Sequence, residues 1–173
     1  MLTIESVSPE QTTAHLTELI ELLRDGVDSG ASISFLPPLS DEAARVYWHK
    51  VIADIAAGER LLLVAHDGGG IAGSVQLALA TQPNALHRAE IQKLMVHTHF
   101  RRQGIGRRLM SAAEDAARYM KRTLLVLDTR RGDTAESLYE KLGYVRAGII
   151  PEYALSANGM LDDTVIFYRT LTD

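Results

Sequence analysis

The sequence predicts an α/β protein: a mixed sheet of about seven strands with about four helices. Three observations carry this prediction. Along the 173 residues, apolar periodicity switches repeatedly between the two-residue repeat of strands and the 3.6-residue repeat of helices. The resulting order β, α, α, β, β, β, α, β, α, β, β mixes hairpins with helix-linked strands, so the sheet is neither purely parallel nor a meander. Third, Leu94 to Met110 reads as a strand, a short Arg/Gly-rich turn and an amphipathic helix. The length fits one domain spanning 1–173.

Leu2 to Val7 alternates apolar and polar residues, as a half-buried strand does. Ala14, Leu16, Leu19, Ile20, Leu22 and Leu23 mark a helix that stops at Gly26. Gly30 to Leu39, with Ser32, Ser34, Pro37 and Pro38, is a loop. Ser40 caps the next helix, where Ala44, Tyr47, Trp48, Val51 and Ile55 keep helical spacing until Gly58. Leu61 to Ala65 is a strand, Asp67 to Gly70 a hairpin turn, and Ile71 to Ala80 the returning strand. Pro83-Asn84 turns the chain into a strand from Ala89 to Val96. Gly104 to Lys121 is a helix with Ile105, Leu109, Ala113 and Met120 on its inner face. Leu124 to Leu127 is a continuous apolar run, suited to a strand covered on both sides. Asp133 or Thr134 opens a shorter helix closed by Gly143. Tyr144 to Tyr153 and Thr164 to Leu171 are the last strands, with a turn at Asn158-Gly159.

Composition narrows the function classes. The chain is 46% hydrophobic and 23% charged, ordinary for a globular domain. It has no cysteine, which excludes disulfides, thiolate metal sites and a cysteine nucleophile. Any thiol in its chemistry arrives on a ligand. No apolar run is long enough to span a bilayer and the N-terminus is not signal-like, so the expectation is a cytoplasmic protein without a membrane partner. The net charge of −4 argues against a nucleic-acid partner. His87, His97 and His99 do not form a metal set, and no metal is expected.

Within this acidic chain, arginines gather at Arg101, Arg102, Arg107 and Arg108. The core of the cluster is Arg101-x-x-Gly104-x-Gly106. Helix-opening amides beside arginines suit a polyphosphate, and the glycines let it approach the backbone. A dinucleotide fingerprint needs a third glycine where Leu109 stands, and no Gly-Lys-Ser/Thr phosphate loop is present.

Two blocks then carry a resemblance. Leu94-Met95-Val96 followed by Arg101 to Gly106 is similar to the acyl-CoA motif of the GNAT-superfamily N-acetyltransferases. Ala135-Glu136-Ser137-Leu138-Tyr139, ending in Gly143-Tyr144, is similar to that superfamily's second block. Gly132 stands where many members carry Asn, a departure at one cofactor contact. Further stretches, Ala53 to Gly58, Arg88-Ala89-Glu90, Gln92 to Val96 and Leu127-Asp128-Thr129, resemble the tabtoxin-resistance acetyltransferase branch.

The resemblance implies a GNAT fold with a splayed sheet and acetyl-CoA as co-substrate. It implies that Leu94, Met95 and Val96 pair with pantetheine and that Arg101, Arg102, Gln103, Gly104, Ile105, Gly106 and Arg107 hold the pyrophosphate. It implies Glu90 as base, Asp128 as second base or ammonium anchor, and Tyr139 as general acid. Without it, a carboxylate on a strand is ordinarily a solvated or salt-bridged residue, and Tyr139 a core aromatic. Ser32, Ser34, Phe35, Tyr47 and Trp48 are candidates for the acceptor pocket. The expected activity is acetyl transfer to a small primary amine, such as an amino-acid-like antimetabolite or antibiotic, by direct attack in a ternary complex. A peptide N-terminus or lysine is the alternative acceptor, and a non-catalytic acyl-CoA sensor the alternative of another class. A homodimer through the exposed C-terminal strand is a further expectation.

Overall fold

The computed structural model describes residues 2–171. Its elements are β1 (Thr3–Ser6), α1 (Pro9–Ala14), α2 (Leu16–Asp28), α3 (Asp41–Ala56), β2 (Arg60–His66), β3 (Ile71–Leu79), β4 (Arg88–Val96), α4 (Ile105–Tyr119), β5 (Leu124–Arg130), α5 (Thr134–Lys141), β6 (Val145–Leu155) and β7 (Leu161–Thr170). The strands form one sheet in the order β1-β2-β3-β4-β5-β7-β6. Neighbours are antiparallel except β4 and β5, which are parallel and joined by the α4 crossover.

Alternation along the strands divides the core in two. Leu63, Ala65, Val75 and Leu77 pack with Leu109, Met110 and Ala113 of α4 on one face. Leu62, Val64 and Met95 pack with Leu19, Leu23 and Val27 of α2 and with Trp48 of α3 on the other. Each fully buried leucine here contributes about 2 kcal/mol of transfer free energy. On the first face Arg169 donates to Glu114 Oε1 at 2.8 Å and to the Leu142 carbonyl at 2.5 Å, tying β7 to α4 and to the end of α5.

Several elements differ from the sequence reading. The first helical stretch is two helices, and α1 begins at a reciprocal cap between Ser8 and Gln11, with Pro9 in its first turn. The second does not stop at Gly26 but runs to Asp28. A Cβ at Gly26 would lie 2.9 Å from Ile33 Cδ1, so this glycine serves close packing inside a helix. β5 extends to Arg130 because β7 supplies partners for Asp128, Thr129 and Arg130. It is also not covered on both sides: Leu125 and Leu127 are buried, whereas Val126 is only half-buried and Asp128 is exposed and lines a cleft. β6 is an exposed edge strand whose register slips between Ile150 and Ala154, with Glu152 at φ +51°.

Gly73 on β3 is a second close approach. A Cβ there would sit 2.6 Å from the Met95 carbonyl oxygen and 3.2 Å from Leu109 Cδ1. Backbone cannot yield as a side-chain tip can. Gly73→Ala is expected to cost about 2–3 kcal/mol in chemical denaturation, and an unchanged midpoint would contradict this packing.

Candidate active site

The site begins where β4 and β5 part. They pair only at Arg88 with Leu124, Ala89 with Leu125 and Glu90 with Val126. Beyond that point β4 stays on β3 and β5 stays on β7, so their facing edges are open. Within β4, Gln92 opposes Gln76 and Met95 opposes Ser74, so Lys93 and Leu94 together oppose Val75. This is a bulge, with Lys93 at φ +50°. The extra residue shifts the alternation: Gln92 before it and Met95 after it lie on the α2/α3 face.

The α4 end of the opening has the features a polyphosphate requires. Gly104 caps α4 at φ +76° with no side-chain cap, and Arg102 is also left-handed at φ +62°. The first amides of α4 therefore have no acceptor within the helix. A cleft of about 570 Å³ lies over them, lined by Leu94, Met95, Val96, Arg102, Gly106 and Arg107, among others. Ile105 and Gly104 also line it. Gln103 is exposed in the same turn. Arg101 lines the cleft but its guanidinium donates to the Val96 carbonyl at 3.1 Å and to Ser29 Oγ at 2.7 Å, tying the turn to β4 and to the end of α2. Gly26, Ala31, Phe100, Thr134, Ala135 and Leu138 complete the walls. Gly132, at φ +82°, makes the turn before Asp133, whose carboxylate caps α5.

On the other side of the opening is a polar cleft of about 400 Å³ that contains Glu90, Lys93, Asp128 and Tyr139. Glu90 and Asp128 come from the two diverging strands and line the same cleft. Asp128 Oδ2 is 2.8 Å from the Thr164 hydroxyl. Tyr139 is 6% exposed and packs on Tyr144 and Phe167. Burial, then the nearby Asp133 and Asp128 charges, raise its phenol pKa above the ordinary tyrosine value. Burial lowers the pKa of Lys93, against the attraction of Asp128.

Two acceptor candidates lie elsewhere. Trp48 is fully buried and its indole N–H donates to the Leu19 carbonyl at 3.0 Å, so it is a core residue. Tyr47 is held beneath the sheet, where Gln76 Nε2 donates to its hydroxyl at 2.7 Å. In that network Arg60 also donates to Gln76 and Gln92 at 2.7 and 2.8 Å. Both aromatics share the apolar repeat of Ala44, Val51 and Ile55, and that repeat is the inward face of α3. Ser32 and Ser34 do line the polar cleft, and Phe35 lines an adjoining one. The sequence reading assigned no role to Lys93. Its signal was a charged residue at the position where strict alternation in β4 required a buried one.

Comparison with known proteins agrees with this geometry. Residues 58–146 match the family model described as an acetyltransferase (GNAT) domain. A protein of Azospirillum brasilense, described as an uncharacterized N-acetyltransferase in the hisH-hisA intergenic region, is 31% identical over 131 residues, covering 75% of this chain and 76% of that protein. The fold is similar to a ribosomal-protein-alanine N-acetyltransferase from Brucella melitensis, at 20% identity and TM-score 0.82 over 98% of this chain and 99% of that one. It is also similar to a putative acetyltransferase from Salmonella typhimurium solved with its cofactor acetyl-CoA, at 19% identity and TM-score 0.79 over 100% and 95%. The chain belongs to the GNAT family of acetyltransferases.

The network under the bulge has a pH signature. Burial raises the Tyr47 pKa from 10.0 to about 12. The unfolded chain then releases this proton before the folded one does, so the contribution is complete below pH 10 and is lost as pH rises towards 12. Tyr47→Phe is expected to melt below wild type at pH 8, with the deficit narrowing between pH 10 and 12. A constant deficit across that range would show that Tyr47 does not titrate this way.

Proposed function

We propose that the protein transfers the acetyl group of acetyl-CoA to a primary amine of a small molecule, by direct attack in a ternary complex within a single domain. The observation that carries this reading is the parting of β4 and β5, which leaves an open strand edge beside one cleft and two carboxylates in the other. The resemblance to the tabtoxin-resistance branch supports an amino-acid-like antimetabolite or antibiotic as acceptor. The loop before α3 and the end of β6 both contribute walls to the polar cleft, which bounds the space for an acceptor and favours a small molecule over a peptide.

The residues fit acetyl-CoA. The free amides opening α4, with Arg102 and Arg107 beside them, would hold the pyrophosphate, and the unpaired edge from Leu94 to Val96 would bind pantetheine as an added strand. Bound there, acetyl-CoA supplies the acetyl group as an activated thioester.

The remaining chemistry falls to the chain. An alkyl amine has a pKa of about 10, so well under 1% is neutral at pH 7 and a base is required. Glu90 takes this proton through a water, and Asp128 anchors the incoming ammonium or serves as second base. A backbone N–H at Met95 or Val96 stabilises the developing oxyanion. Tyr139, whose phenol lines the same cleft and carries its proton at neutral pH as any tyrosine does, gives that proton to the departing sulfur. The C-terminal strand β7 lies between β5 and β6 and so offers no free edge for a homodimer; the edge strand is β6, whose exposed Val145, Ile149, Ile150 and Leu155 support a homodimer packed on its side chains rather than paired along its backbone.

Glu90→Gln combined with Asp128→Asn is expected to lower turnover by about 10²–10⁴ while acetyl-CoA affinity stays within a few-fold. A thiol-release assay paired with calorimetry measures both, and near-normal rates would place the base elsewhere. At Gly104 a Cβ meets nothing within 4 Å, so crowding is not the obstacle to a side chain; φ +76° is. Gly104→Val is expected to weaken acetyl-CoA binding about 100-fold or more by deforming the turn. Unchanged affinity would overturn the pyrophosphate assignment.

A further inference from the structure

The polar cleft holds seven charged side chains, and most are already paired. Asp133 and Asp162 share Arg130, at 3.4 and 3.8 Å. Asp163 takes Arg131 at 3.1 Å and the Glu152 amide at 3.1 Å. Three groups are left without an ionic partner among the described residues. Glu90 makes no side-chain hydrogen bond there, and Asp128 has only the Thr164 hydroxyl. Lys93 has only the Ser34 hydroxyl, which accepts from its Nζ at 2.8 Å.

Lys93 is the unusual member. It occupies the bulge of β4 in a left-handed conformation, which is costly for a residue other than glycine. Asp128 and Glu90 attract its ammonium and Arg60 repels it, but among the described residues its one hydrogen-bonding partner is the Ser34 hydroxyl. An ammonium carries three donors, and Ser34 uses one. Its remaining donors open onto the cleft, where an anionic group of a ligand can take them in place of water. The uncommitted charges of the cleft are thus two carboxylates and one ammonium. Their complement is a molecule that carries an ammonium and an anion together. A diamine or polyamine would satisfy the carboxylates but press a second cation towards Lys93.

We propose that Lys93 is the specificity-determining residue of the acceptor cleft, and that it binds the carboxylate of an amino-acid acceptor whose amine lies against Glu90 and Asp128. This rests on the small-molecule reading of the cleft given above. Ser34, on the loop before α3, holds the Lys93 side chain in place, so the loop contributes to acceptor choice without touching the reacting atoms.

The test compares each amino acid with its own decarboxylated amine: lysine with cadaverine, ornithine with putrescine. Wild type is expected to have the higher kcat/KM for the amino acid of a pair. Lys93→Met is expected to reduce that preference about 10- to 100-fold, the range of a charge-assisted hydrogen bond. Lys93→Arg is expected to retain most of it. Lys93→Asn, which tolerates the left-handed backbone, gives the same reading where Met disturbs folding. A preference unchanged in both Met and Asn variants, or a wild-type preference for the diamines, overturns the role of Lys93 and leaves the small-molecule acceptor standing. No thiol release with any member of the pairs, against release with a peptide amine, overturns the small-molecule reading and the Lys93 assignment together.

Discussion

Everything at this site depends on one constraint: β4 cannot stay paired with β5 beyond Glu90. Three residue pairs hold the two halves of the sheet at one end, and then each strand follows its other neighbour. The separation leaves one edge of β4 unsatisfied, which would be a liability in a closed sheet. Here it faces a cleft that a ligand's own amides can complete. The same divergence carries Glu90 and Asp128 along different strands while keeping both in one cleft. Backbone pairing and side-chain chemistry therefore follow from a single geometrical event.

The bulge at Lys93 belongs to the same event. Without the extra residue, strict alternation would put Met95 on the α4 face, away from Leu19 and Trp48. The polar network of Arg60, Gln76, Gln92 and Tyr47 lies beneath the strand just before the shift. Gln76 is fully buried, and its hydrogen bonds are what make that burial tolerable. This network gives the bulged strand a firm floor, while Gly73 lets β3 approach its far end.

Much of this was legible in the sequence where the signal is local. The switch of period marked all seven strands, and Arg101 to Gly106 marked the helix end correctly because glycines and arginines act through backbone and charge. Legibility ended where partners are distant. Asp128 read as the end of an apolar run, but β7 carries the strand on to Arg130. Trp48 and Tyr47 read either as acceptor-pocket candidates or as core residues of their helix; the core reading holds, and their polar atoms meet Leu19 and Gln76, which are far away in sequence. The reciprocal cap of Ser8 and Gln11 is a local signal, weaker than the apolar repeat of Leu16 to Leu23 that follows it. Gly26 misled for the opposite reason: a breaker by propensity, it is a packing residue in its tertiary setting.

The slip in β6 has a consequence beyond the sheet. Pro151 withholds a donor, and left-handed Glu152 turns the edge, so this stretch breaks the ladder that another chain would extend. The very next residues, Tyr153 and Ala154, form part of the wall of the polar cleft. One short run of backbone thus does two things: it interrupts the free edge of the sheet and it shapes a wall of the cleft.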